Sequence, residues 1–227
     1  MLYFFILLMM AIAVSMVAKK TAMLRDVIED TEKFADIAAD QQVQKPKAPY
    51  SLGRTQLVFW SIIVIGSYLY LYINNNAPPQ ITNASIILLS ISIGTTLVGK
   101  VIDDTQTTGF RHQDSPSNGF LIDILSDEKG ISVHRLQNVI WSLIVAVIYI
   151  QTVFVSTANI LPDESVITNQ LLELMGISSG AYVGIKVTEN MKSVPQQPNE
   201  KAALESNNEG EEEFTDYSMD AEEKPVG

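Results

Sequence analysis

The segment SLGRTQLVFWSIIV at residues 51–64 returns later in the chain as SVHRLQNVIWSLIV at residues 132–145. Eight of the 14 paired positions are identical, and four of these identities are polar: a Ser, an Arg, a Gln and a second Ser. Apolar composition alone does not produce matching polar positions. The two segments are therefore predicted to be copies of one structural unit.

The similarity continues into the next apolar segment of each copy. LLSISIG at 88–94 aligns with LMGISSG at 174–180, and Lys100-Val101 aligns with Lys186-Val187. The spacing between copies grows from 81 to 86 residues, so the five extra residues fall in the loop inside the second copy. Each copy is thus predicted to be a pair of helices.

Five stretches of the chain are apolar and almost free of charge. A bilayer core about 30 Å thick needs about 20 helical residues to cross it, and all five stretches are close to that length. The chain is predicted to be an all-α membrane protein with transmembrane helices at 1–18, 55–73, 83–100, 138–156 and 167–186. The first helix stands outside the repeat. Because each copy crosses the membrane twice, a pseudo-two-fold axis along the membrane normal should relate the copies.

Repeat 1 is assigned to 50–103 and repeat 2 to 131–188. Outside these repeats and the first helix, the chain divides into linkers and a tail. The predicted connections are a cytoplasmic amphipathic helix and linker at 19–49, a cytoplasmic linker with an interfacial helix at 104–130, and a tail at 189–227. Ten Asp or Glu against one Lys between 199 and 223 predict that this acidic tail is disordered.

Basic residues alternate from loop to loop. Seven Lys or Arg lie in 19–54 and four in 100–137, whereas loops 74–82 and 157–166 have none. Lys and Arg stay on the cytoplasmic side, which predicts an outside N-terminus and an inside C-terminus. Because Lys19-Lys20 follow the first apolar stretch, this stretch is predicted to be a retained anchor; a cleaved signal peptide ending near Ala18 is the alternative.

The repeated polar residues lie at the start of the second and fourth predicted membrane helices. They are Arg54, Gln56 and Trp60 in the first copy and Arg135, Gln137 and Trp141 in the second. The Gln and Trp of each copy are four residues apart and share a helix face. One interpretation is that the Arg side chains extend to lipid phosphates. The other is that the two Arg–Gln pairs line a vestibule that binds an anion or a partner's carboxylate.

A glycine zipper runs along the last predicted membrane helix, and small residues occupy the equivalent positions of the third. The residues concerned are Gly176, Gly180 and Gly184, with Ser90 and Gly94. Small residues let two helices approach closely in a membrane. They predict packing between the third and fifth helices or between subunits; the alternative is a glycine-lined channel.

Glu173 is an ionisable residue within an apolar stretch, at a position that is Ile87 in the first copy. Ionisable residues within a membrane are expensive and mark functional sites. Gln151 lies at a similar predicted depth, so Glu173 and Gln151 are predicted to form an intramembrane polar pair. The alternative is that Glu173 reaches the outer headgroups.

No catalytic signature is present. The chain has no cysteine and two histidines, His112 and His134, without carboxylates at metal-ligand spacing. Asp123 is expected to be a solvated surface carboxylate, and no basic patch with interleaved aromatics points to nucleic acid. Neither a metal nor a cofactor is predicted. The expected function is a non-enzymatic membrane subunit or scaffold that self-associates or binds another membrane protein within the lipid bilayer. The alternative is a small oligomeric ion channel or transporter that uses the glycine-rich face and Glu173.

The paired signature Ser-x-x-Arg-x-Gln-x-x-x-Trp-Ser, together with Gly-Ile-Ser-Ser-Gly at 176–180, resembles a group of uncharacterised bacterial multi-pass membrane proteins. The resemblance covers about residues 50 to 190 and leaves out the first helix and the acidic tail. It implies the duplicated helical fold and carries no mechanism.

Overall fold

The computed structural model of the chain describes residues 1–28, 31–105, 115–127 and 130–192. Within these residues the chain is mostly helical, with one short hairpin. The elements are α1 (Leu2–Lys20), α2 (Thr31–Asp40), α3 (Leu52–Asn75), α4 (Asn83–Thr105), α5 (Phe120–Leu125), β1 (Ser126–Asp127), β2 (Gly130–Ile131), α6 (Val133–Val155) and α7 (Asn169–Lys192). The predicted tail begins at residue 189, but residues 189–192 belong to α7; the rest of the tail lies outside the described residues.

Four helices in the described part of the chain are long and apolar enough to cross a membrane. They are α1, α3, α4 up to Val101, and α6. These helices indicate an integral membrane protein of the multi-pass helical class. The fifth stretch that was predicted to cross the membrane forms the helix α7, which has 24 residues. α7 is not among the four helices that are long and apolar enough to cross a membrane. Its first half contains Asn169, Gln170 and Glu173, which lower its hydropathy.

The helices α3, α4, α7 and α6 form a ring in which each helix packs on the next. α3 contacts α4, α4 contacts α7, α7 contacts α6, and α6 contacts α3. One large buried side chain from each helix belongs to the same core: Trp60, Leu88, Tyr149 and Met175. Dispersion between such closely packed side chains stabilises the ring.

α1 packs on the outside of this ring, against α3. Gly66 permits the approach, because a Cβ at this position would lie 2.6 Å from Leu7 Cδ2 and 3.4 Å from Met10 Sδ. Beside it, the hydroxyls of Tyr3 and Ser67 are 2.8 Å apart. Since Ser67 donates to the carbonyl oxygen of Ile63, Tyr3 is the donor to Ser67. A close backbone approach and a buried hydrogen bond thus fix α1 on α3.

The chain enters α3 and α6 through the same backbone arrangement. The N–H of Ser51 donates to Leu24 O and the N–H of Ser132 donates to Leu125 O, both at 2.8 Å. Ser51 has φ −84° and ψ 124°, and Ser132 has φ −87° and ψ 124°. Both serines are N-caps, but neither side chain makes a capping hydrogen bond. The start of each helix is therefore fixed by a backbone hydrogen bond to the segment that precedes it.

The segments before these entries also correspond. An antiparallel bridge joins Arg25 to Tyr50 before α3, and β1 pairs with β2 through Ser126 and Ile131 before α6. The linker predicted at 19–49 contains the helix α2, which is separate from α1 because α1 ends at Lys20. The linker predicted at 104–130 contains the short helix α5.

The two loops at the opposite end of the ring are joined to each other. Gln80 and Ile160 form a parallel bridge, and the amide of Asn159 donates to Ala77 O at 3.1 Å. The α3–α4 and α6–α7 pairs are therefore joined through their connecting loops.

Within the second loop, the hydroxyl and N–H of Ser165 donate to the Asp163 carboxylate at 2.5 and 3.0 Å. These bonds lower the pKa of Asp163.

Candidate functional site

A cluster of buried amide and hydroxyl side chains joins α3, α6 and α7. Gln56 Nε2 donates to Asn138 Oδ1 at 2.9 Å and to Ser142 Oγ at 2.7 Å. Asn138 Nδ2 donates in turn to Ser179 Oγ at 3.4 Å. Gln56 is 5% exposed and Asn138 is 1% exposed. Buried amides are costly without partners, so this network fixes how α3 is rotated relative to α6 and α7.

Some buried polar atoms at the edge of this network have no hydrogen-bond partner in the described part of the chain. They include Gln56 Oε1 and Thr55 Oγ1. Both residues line a cavity of about 230 Å³ between α3, α5 and α6, whose wall is otherwise mostly apolar and includes Phe120 and Ile124. The cavity therefore combines an apolar wall with residues that carry unused acceptor atoms.

The repeated Gln and Trp residues have different environments in the two copies. Gln56 and Trp60 are buried in the ring, whereas Gln137 is exposed and Trp141 is only partly buried. α6 instead turns Asn138, the residue after Gln137, toward α3. One residue is about 100° around a helix, since 3.6 residues make a turn. The two helices thus present different faces to the core.

The repeated arginines differ as well. The guanidinium of Arg135 lies 5.1 Å from the ring centroid of Tyr182 on α7. Arg54 has no such partner among the residues that the structure describes, and it lines a cavity at the end of α1 together with Lys19 and Lys20. No hydrogen bond or ion pair between described residues joins the two Arg–Gln pairs. The structure therefore does not bring them into one vestibule.

The small residues of α4 and α7 have open space around them and are not packed against other helices of the same chain. A Cβ added at Gly94, Gly176, Gly180 or Gly184 would meet nothing within 4 Å, and Ser90 is exposed. α4 and α7 do pack on one another, but not closely at these positions. The packing predicted there between the third and fifth helices is not seen within one chain, and contact between subunits stays a prediction.

Glu173 and Gln151 are both exposed, and no hydrogen bond between the described side chains joins them. The buried face of α7 carries Leu172 and Met175, which turns Glu173 to the outside. The structure therefore does not bring the predicted pair together.

Asp123 is a functional candidate that the sequence reasoning missed. It was expected to be solvated, but it is 2% exposed. Its carboxylate accepts from Tyr50 N at 3.0 Å, Ser117 Oγ at 2.6 Å and Asn118 N at 2.9 Å. Asp123 therefore connects the segment before α3 to α5. No local pattern separates it from a surface Asp, because its main partner is 73 residues away.

Asn138 and Ser179 were also missed. Asn138 replaces the Leu57 of the first copy within an apolar stretch, so a polar departure from the repeat could have identified it. Within the described residues, no group of three His, Cys, Asp or Glu side chains could hold a metal ion.

Neither a family model, nor a curated protein sequence, nor a solved structure matches this chain. The class is therefore defined by the fold: a helical, multi-pass integral membrane protein. Within that class, the chain is distinguished by a four-helix ring locked by buried side-chain hydrogen bonds, with a further helix packed on its outside.

Proposed function

We propose that this chain is a non-enzymatic subunit of a membrane complex and that it assembles through the outward face of α7. This α7 assembly face consists of Glu173, Ile177, Gly180 and Gly184, which follow one another at helical spacing. All four are exposed, and Ile177 is 69% exposed. This exposed face is the observation that carries the proposal.

The physical argument rests on what a bilayer does to such a face. An ionisable side chain that faces lipid is unfavourable. Glycines on a helix surface leave a shallow groove into which a second helix fits closely. A helix from another copy, or from a partner membrane protein, would cover the groove and could provide a polar partner for Glu173.

α7 is the fifth membrane span in this proposal. Its 24 residues correspond to about 36 Å at 1.5 Å per residue, enough to cross a bilayer core. It also packs beside α4 and α6, two of the apolar helices. The alternation of basic loops supports an outside N-terminus and an inside C-terminus, and the resemblance to bacterial multi-pass membrane proteins supports a bacterial inner (cytoplasmic) membrane.

We also propose that α3–α4 and α6–α7 are duplicated pairs related by a pseudo-two-fold axis along the membrane normal. In the ring the equivalent helices are neighbours, α3 beside α6 and α4 beside α7. One observation supports the duplication. The serines that begin α3 and α6 have nearly the same backbone angles and the same hydrogen bond to a preceding Leu.

The test is the mass and composition of the complex recovered from native membranes in mild detergent, with the chain carrying a C-terminal tag. A discrete complex is expected for the natural chain, and Gly180→Leu should dissociate it because the added side chain fills the groove. Val147→Leu is the control, since Val147 is 63% exposed but lies on α6, away from the α7 assembly face. A monomer in native membranes, or the same complex in Gly180→Leu, would contradict the proposal.

The alternative function is a small oligomeric ion channel or transporter. One observation favours it: Glu173 and the glycines share the same exposed face, so a ring of copies could place them along one axis. Ion flux into proteoliposomes that contain the purified chain distinguishes the two functions. Flux that Glu173→Gln abolishes, with the complex intact, would support the channel; an intact complex without flux would support the subunit.

A further inference from the structure

Two adjoining cavities lie where α1 ends and α3 begins. The first encloses about 610 Å³, and its described lining includes five basic residues and one acidic residue, Asp26. The basic residues are Lys19, Lys20, Arg25, Lys47 and Arg54. The second cavity, of about 390 Å³, lies between α1 and α3 and shares Ala18, Lys19 and Tyr50 with the first. The two cavities therefore adjoin at these three residues, and the basic side chains lie in the first, which forms the basic end.

One of the five basic side chains forms part of the wall. The Arg25 guanidinium lies 4.1 Å from the centroid of the Tyr50 ring and donates to Ala48 O. The other four form no ion pair with a carboxylate among the described residues. The basic end therefore has an excess of positive charge that can attract an anion.

The second cavity is an apolar groove. Small side chains of α1, at Ala11, Ser15 and Ala18, face Phe59 and Ile62 of α3 across it. Nearer its N-terminus, α1 touches α3 closely at Gly66, so the groove occupies the other half of their interface. From Lys19 back to Ala11 the groove runs along about 12 Å of helix at 1.5 Å per residue.

The position of the basic end is that of a membrane boundary. The apolar part of α1 ends at Lys19-Lys20, and the apolar part of α3 begins just after Arg54. Lys and Arg at such a boundary reach the depth of lipid phosphates. The apolar groove then extends from this depth into the hydrocarbon.

We propose that these two cavities are a binding site for one anionic phospholipid. The phosphate lies among Lys19, Lys20, Lys47 and Arg54, and an acyl chain fills the groove between α1 and α3. An apolar cavity with a few convergent charged groups is the usual form of a ligand site. The site lies on α1 and α3, so it does not depend on the α7 assembly face.

The experiment measures lipid binding to the purified full-length chain by native mass spectrometry. Phosphatidylglycerol and phosphatidylcholine of equal chain length are titrated in mixed micelles. We expect phosphatidylglycerol to bind at least tenfold more tightly. Lys20→Gln and Arg54→Gln should each weaken its binding about fivefold, the effect of one basic residue near a membrane surface. Arg135→Gln is the matched control and should change binding less than twofold, because Arg135 starts α6 and stacks on Tyr182.

A second variant tests the groove without changing charge. Ser15→Leu should fill part of the groove and weaken the binding of phosphatidylglycerol, while inorganic phosphate should not compete at equal concentration. Equal binding of the two lipids, an equal loss in Arg135→Gln, or full competition by inorganic phosphate would each overturn the proposal. So would carbodiimide crosslinking of Lys19, Lys20 or Lys47 to the acidic residues between 199 and 223, because the tail would then be the occupant.

Discussion

α3 and α6 begin with the same signature, yet their surroundings differ. Ile63 on α3 is 3% exposed, whereas Ile144, the identical residue 81 positions later on α6, is 40% exposed. Gly66 is buried beneath α1, and its counterpart Val147 is 63% exposed. α1 covers Gly66 on α3, whereas Ile144 and Val147 lie on a face that α6 turns outward, because α6 directs Asn138 rather than Gln137 toward α3.

This difference shows how a duplicated helix adapts to a single additional partner. Where α1 approaches, the chain has a glycine and a serine, Gly66 and Ser67, which allow close contact and a hydrogen bond. At the equivalent positions α6 has Val147, which is exposed, and Ile148, which is partly buried; apolar side chains of this kind suit a lipid environment. The residues that differ between copies thus match the surroundings of each helix face. Four pairs of variants test how much these surroundings contribute to stability.

The largest effect on stability is expected at Asp123, which connects the segment before α3 to the segment before α6. Asp123→Asn should lower the free energy of unfolding by about 2 to 3 kcal/mol, because three donors lose a charged acceptor. Reversible unfolding in detergent, followed by tryptophan fluorescence, measures the change. Glu164→Gln, in an exposed loop, is the control and should change stability by less than about 0.5 kcal/mol. Equal effects would show that Asp123 does not link the two halves.

Gly66→Val gives α3 the residue that α6 has at the equivalent position. The added side chain would collide with Leu7, so we expect a loss of about 2 kcal/mol from overpacking. Val147→Ala, on the uncovered helix, should change stability by less than about 0.5 kcal/mol. The same unfolding measurement applies, and similar losses in the two variants would mean that α1 contributes little to the difference between the helices.

Gln56→Leu and Gln137→Leu compare the repeated glutamines directly. Gln56→Leu should cost about 1 kcal/mol, since hydrogen bonds within membrane proteins average about 0.6 kcal/mol and Gln56 makes two. Gln137→Leu should be close to neutral, because Gln137 is exposed. Thermal unfolding of both variants in one detergent checks this order, and the reverse order would contradict the assignment of the buried face.

The smallest effect is expected for Tyr3→Phe, which removes the hydrogen bond from α1 to Ser67. Ser67 still donates to Ile63 O, so a single bond is lost and the cost should be about 0.6 kcal/mol. Tyr72→Phe, on the exposed side of α3, is the matched control. A difference between them below the error of the unfolding measurement would show that this hydrogen bond does not stabilise the docking of α1.

Periodicity and hydropathy in the sequence were sufficient to predict the main helices, because long apolar stretches have few alternative structures in a bilayer. α3 and α6 begin at Leu52 and Val133, before the predicted starts at 55 and 138, because their first turns carry polar and charged residues that lie outside the apolar stretches. The inward and outward positions did not follow in the same way. Aligned residues such as Gln56 and Gln137 have the same local sequence, and the packing of α1 and the rotation of α6 decide which of them is buried.

The polar contacts were harder to predict for a related reason. Glu173 and Gln151 were paired by depth alone, but depth does not determine the direction in which a side chain points. The observed partners of Gln56 depend on Asn138, whose counterpart in the first copy is the apolar Leu57. Asp123 was misjudged because its bond to Tyr50 joins two segments that are far apart in the chain.

The long separation between Gln56 and its partners also has a consequence for biosynthesis. Asn138 and Ser142 follow Gln56 by 82 and 86 residues, so a ribosome delivers α3 to the membrane well before α6 exists. During that interval the Gln56 amide must be solvated by water, lipid headgroups or the insertion machinery. Arrival of α6 then replaces these transient partners with permanent ones. The buried network therefore makes the final rotation of α3 a late event, completed only when the second helix pair has been synthesised.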